Sequence, residues 1–153
     1  GKSTIGKKLA DELATSFIDT DLLIERKYQS SFEEIKQKFG YKFVRSAEEE
    51  VILNLDISTK IISTGGSAVY SLKSMEHLKT FSKIVYINTP LEIVIERINT
   101  GQERGLAVPE GLTISEVFAE REPLYEKFSD FILDGSKNLD EKVSIIKNSF
   151  FDE

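Results

Sequence analysis

Gly1-Lys2-Ser3-Thr4 opens the chain, and Ile5, Leu9 and Leu13 follow at helical spacing. That spacing predicts a helix starting near Lys2. The tetrapeptide matches the last four positions of the phosphate-loop pattern G-x-x-x-x-G-K-[ST]. Such a loop curls backbone N–H groups around phosphate oxygens and aims a helix N-terminus at the same anion. In this reading Gly1 belongs to the loop, Lys2 serves the outer phosphates, Ser3 puts its hydroxyl on Mg²⁺ and Thr4 adds a donor to an inner phosphate. The plain alternative for so short a string is the flexible start of a surface helix, and the phosphate-loop reading is the favoured one. A parallel α/β domain usually opens with a strand. The expectation is therefore that a first strand and the first half of the loop lie upstream of Gly1.

Working outward, apolar runs alternate with helical periodicities. Ser16–Asp19, Lys60–Thr64, Lys83–Ile87 and Asp130–Leu133 read as strands. A helix follows Leu22, and the Ser31/Glu34 spacing caps another that ends at Gly40. Helices are also expected over 44–55, 71–81, 90–98, 113–128 and 139–150. Pro123 should bend or break the one it interrupts. The strands are apolar at consecutive positions, so both faces should be buried, which means a parallel sheet between helical layers.

The chain has 153 residues, enough for one domain. Its net charge of -6 argues against a general nucleic-acid binder, though a local cationic cluster could still serve a polyanion such as ATP. The absence of cysteine excludes disulfides, thiolate metal sites and a Cys nucleophile, and suits a reducing cytoplasm. No apolar run is long enough for a membrane helix. His77 is the single histidine, on a polar stretch, and should be exposed. Only Arg26, Arg45, Arg97, Arg104 and Arg121 interrupt a Lys-rich basic set. Each Arg is thus a candidate for two-pronged binding of phosphate or carboxylate, with a salt bridge as the plain alternative.

Further motifs fall in order. Asp19-Thr20-Asp21 ends the second expected strand, at the sheet edge where ligands bind. Arg45-Ser46-Ala47-Glu48, Ser63-Thr64-Gly65-Gly66-Ser67, Arg97, Arg104-Gly105-Leu106 and Arg121-Glu122-Pro123-Leu124-Tyr125 follow. This succession resembles the shikimate kinases, P-loop enzymes that use ATP to phosphorylate the 3-hydroxyl of shikimate, and the resemblance covers essentially the whole chain.

The resemblance implies an α/β, P-loop kinase-like three-layer fold, a single kinase domain over 1–153, and a lid at about 99–111. It assigns Gly1, Lys2, Ser3 and Thr4 to ATP and Asp19, with Ser3, to Mg²⁺. Asp21 would bind substrate hydroxyls near the attacking oxygen. Arg45 and Arg121 would clamp the carboxylate, with Glu48 bracing the substrate-side arginine. Gly65 and Gly66 would lie against the substrate and the γ-phosphate. Arg104 would close over the transferring phosphate, and Arg97 and the 134–138 turn, including Ser136, would flank adenine. Lys2, Asp21 and Arg104 are the expected catalytic residues. A cytoplasmic monomer acting on a small acid is implied, with no nucleic-acid or membrane partner.

Two positions depart from the family pattern. Ser67 stands where a third glycine is usual, and either crowds the substrate or binds it. Gly105 replaces a proline and should loosen the lid. Two alternatives remain open: a kinase of this fold with another hydroxylated or nucleotide substrate, and a nucleotide-binding regulator without catalysis.

Overall fold

The computed structural model describes residues 1–100 and 108–151. The chain runs α1 (Lys2–Leu13), β1 (Phe17–Asp19), α2 (Thr20–Tyr28), α3 (Phe32–Phe39), α4 (Tyr41–Leu53), β2 (Ile61–Ser63) and a short 3₁₀ helix (Ala68–Tyr70). It continues with α5 (Leu72–Phe81), β3 (Val85–Asn88), α6 (Leu91–Asn99), α7 (Ile114–Phe128), β4 (Phe131–Asp134) and α8 (Leu139–Phe150). The expected elements are present, with ends displaced by a few residues.

Pairing is parallel throughout, but the strands form two pairs rather than one continuous sheet. β1 pairs with β2 (Asp19 opposite Ser63), and β3 pairs with β4 (Asn88 opposite Asp134). Successive strand residues face opposite layers. Ile61 enters a core with Ile5 and Leu9 of α1 and Val143 and Ile146 of α8. Its neighbour Ile62 packs into a second core with Ile52, Met75, Leu78 and Phe128. This alternation produces the three layers. Both-face burial fails at Ile132 in β4, which is 51% exposed. A third core, built on Ile24, Ile35 and Val44, joins α2, α3 and α4.

Local chemistry explains most boundaries. Ser31 accepts a hydrogen bond from the Glu34 N–H, and Thr113 with Glu116 completes a capping box. Gly40, with φ 87°, separates α3 from α4 in a conformation that favours glycine. α7 runs through Pro123 unbroken. The ring removes one backbone donor, yet Val117 and Arg121 before it and Phe128 after it are buried, so packing holds both halves in one helix. His77 is half-buried rather than exposed, its ring edge-on to Phe81 at 5.4 Å. No helix among the described residues is long and apolar enough to cross a membrane.

Candidate active site

The carboxyl ends of β1 and β2 lie side by side and build the site's floor. Asp19 ends β1 and caps α2, its Oδ1 accepting from the Asp21 N–H at 2.9 Å. Its other oxygen, Oδ2, accepts from Ser3 Oγ at 2.7 Å, and Ser3 Oγ is also 3.3 Å from Ser63 Oγ. One contact thus ties the first turn of α1 to the Asp-x-Asp segment. Thr20, fully buried, accepts from the Gly65 N–H at 3.2 Å and fixes the loop after β2.

Above this floor a cavity of about 640 Å³ opens, in the size range of small-molecule sites. Gly1, Lys2, Ser3, Thr4, Asp19, Asp21, Gly65, Gly66, Arg97 and Arg121 all line it. Residues 84–87, beside and within β3, form its apolar wall. Arg45 lines a smaller adjoining cavity of about 190 Å³, with Ser67 and Ala68 shared between the two. Ser136 is exposed in the turn after β4, where its N–H and hydroxyl both bond Asp134 Oδ1. Arg104, and with it most of the expected lid, lies outside the described residues.

The glycines after β2 are needed for close approach. A Cβ at Gly65 would collide with Glu48 Oε2 and stand 2.7 Å from Asp21 Oδ1. At Gly66 it would meet Arg121 Nη1 at 2.5 Å and the Tyr125 hydroxyl at 3.2 Å. Tyr125 donates to the Gly66 carbonyl at 2.8 Å and holds that backbone against α7.

Charge is concentrated here. Glu48 is 2% exposed, and Ser67 Oγ donates to its Oε1 at 2.7 Å. Burial pushes the Glu48 carboxyl up to about 7, the Ser67 bond works against that rise, and Asp21 adds to it. Of the three glutamates at 48–50, only Glu48 is buried; Glu49 accepts from Ser71 Oγ at 2.6 Å, and Glu50 is exposed. Arg121 is 6% exposed, and its Nη2 is buried without a hydrogen-bond partner. A buried guanidinium with one edge unsatisfied suits an incoming anion.

Sequence reasoning missed Thr20, the Ser67–Glu48 bond and Tyr70. The Ser67 hydroxyl is committed to Glu48. Tyr70 lies beside both Arg45 and Arg121, three residues after the Ser63–Ser67 motif, and no sequence signal marked it.

The site can hold a polyphosphate at Lys2–Thr4 and a small anion at Arg121, with the Asp21 carboxylate on the same cavity wall. Together with the three layers, that defines a small-molecule kinase of the phosphate-loop class. The family described as Shikimate kinase matches residues 1–149, and the chain belongs to that family. The shikimate kinase of Caldanaerobacter subterraneus is 32% identical over 147 residues, covering 94% of this chain and 85% of that protein. Among solved structures, the Acinetobacter baumannii shikimate kinase in complex with shikimate is similar at TM-score 0.83 and 27% identity. That match covers 99% of this chain and 89% of the other. The Aquifex aeolicus enzyme is similar at TM-score 0.80 and 30% identity, covering 97% and 88%.

Proposed function

We propose that this protein transfers the γ-phosphoryl group of ATP to the 3-hydroxyl of shikimate, yielding shikimate 3-phosphate and ADP, a step of aromatic amino-acid biosynthesis. The observation that carries the reading is Arg121: a buried guanidinium with an unsatisfied Nη2, opening on the same cavity as Lys2, Ser3 and Asp21. A carboxylate-bearing polyol satisfies both ends of that arrangement.

Phosphoryl transfer depends on alignment and charge neutralisation more than on covalent help. Lys2 holds the outer phosphates and offsets the charge that grows as the β–γ bond breaks. Asp21 accepts a hydrogen bond from the acceptor hydroxyl and takes its proton as oxygen bonds to phosphorus. Arg121, with Arg45, fixes the acceptor carboxylate and so sets the angle of attack. Gly65 and Gly66 let the reactants approach the backbone. Arg97 flanks the base, as does the turn bearing Ser136. Arg104 is assigned to the transferring phosphate, and residues 99–111 to a lid, on sequence alone.

The donor set also fits Mg²⁺. A hydroxyl and a carboxylate stand in contact, Ser3 and Asp19, and Mg²⁺ is usually held by one or two such groups plus phosphate oxygens and water. When bound it would neutralise phosphate charge.

The proposed setting is a cytoplasmic monomer with residues 1–153 in one kinase domain, the single domain being supported by a family match that runs over residues 1–149. The test is ADP release with shikimate, gluconate and nucleoside monophosphates as acceptors, with and without Mg²⁺. Turnover is expected with shikimate and Mg²⁺; turnover on a nucleotide but not on shikimate would overturn the reading.

A further inference from the structure

Two arginines on different helices meet at one aromatic ring. Tyr70 closes the 3₁₀ helix after β2. The Arg45 guanidinium of α4 lies 3.9 Å from the Tyr70 ring centroid, and Tyr41 adds a second ring at 4.9 Å. The Arg121 guanidinium of α7 lies 5.4 Å from the same Tyr70 ring, and its Nε donates to the Tyr70 hydroxyl at 3.4 Å.

Arginine does not shed its proton, so two guanidiniums brought together must be reconciled by their surroundings. The electron-rich face of Tyr70 offsets part of that repulsion. Its hydroxyl occupies the Nε edge of Arg121, while Nη2 stays buried and unpartnered. Burial raises the phenol's pKa, so the hydroxyl remains protonated and neutral over any working pH. The ring thereby consumes one edge of the Arg121 fork and leaves another for a ligand.

We infer that Tyr70 is a positioning residue for the acceptor's carboxylate: it holds Arg45 and Arg121 as one cationic unit where the two cavities adjoin. A tyrosine here selects for a compact anion that bridges both guanidiniums. It acts on acceptor binding, through the arginines, and not on the phosphates at Lys2. The inference rests on the proposed acceptor.

The test is steady-state kinetics of wild type, Tyr70→Phe and Tyr70→Leu, varying shikimate and ATP separately. Tyr70→Phe keeps the ring and loses the hydroxyl, so KM for shikimate should rise about two- to fivefold. Tyr70→Leu loses ring and hydroxyl, and KM should rise about tenfold or more. In both, kcat should stay within about twofold and KM for ATP should not move, a split that a merely structural role would not give. If Tyr70→Leu does not fold, Tyr70→Phe decides alone. Normal saturation of wild type with both variants unchanged in KM would overturn the role of Tyr70 and leave the acceptor reading standing. A parallel loss of kcat and both KM values would overturn it too. Wild type that saturates with another acceptor but not with shikimate would end the acceptor reading, and this inference with it.

Discussion

Replacing Glu48 by Gln should make the protein more stable as pH rises. Glu48 is 2% exposed, and its carboxyl is pushed up to about 7 from an ordinary 4.5, chiefly by burial. In the unfolded chain it ionises near 4.5; in the folded protein it keeps its proton until about 7. Between those values the native state holds the extra proton, so wild-type stability falls with rising pH. The slope is about 1.4 kcal/mol per pH unit, and the loss levels off above the folded pKa at about 3 kcal/mol. Gln keeps the shape and an oxygen that accepts from Ser67 Oγ, but it does not titrate. The stability of Glu48→Gln minus that of wild type should therefore grow by about 3 kcal/mol from pH 4.5 to pH 8. Urea unfolding followed by circular dichroism at four or five pH values measures it. Two curves that stay parallel to within about 0.5 kcal/mol would refute the reasoning. They would mean that water or rearrangement solvates Glu48 despite its burial. Activity should move the other way, since the uncharged amide no longer balances Lys2 and Arg121, both of which act on Glu48.

Two further substitutions separate the ends of the site. Lys2→Ala should lower kcat about 100-fold or more with a smaller change in KM for ATP, because its charge matters most as the γ-phosphoryl moves; near-normal kcat in a coupled assay would remove Lys2 from the catalytic set. Arg121→Lys, or Arg45→Lys, should raise KM for shikimate about tenfold while KM for ATP stays put, since a lysine lacks the two-pronged contact; the reverse pattern would assign that arginine to the nucleotide.

What could be read from the sequence was local. Helix starts at Ser31 and Thr113 follow from a side chain and a backbone N–H three residues away, and the structure has both caps. Asp19 and Asp21 were legible because a short apolar strand ends there, and strand ends in a parallel sheet face the crevice. What escaped was decided by distant parts of the chain. Glu48 stands apart from Glu49 and Glu50 in sequence through its place in the Arg-x-x-Glu motif, but its burial and its bond to Ser67, nineteen residues further on, are not written there. The division into two strand pairs depends on which edges meet, and hydrophobic runs do not encode that. Pro123 is a helix breaker by local rule, yet the burial of Arg121 and Phe128 on either side outweighs one missing backbone bond. Tyr70 joins both kinds of information. Its position is local, three residues past the motif that carries Gly65 and Gly66, but its meaning comes from two helices that deliver Arg45 and Arg121 to its ring. A family motif names the arginines that must meet an anion. The residue between them is placed to set how they are presented.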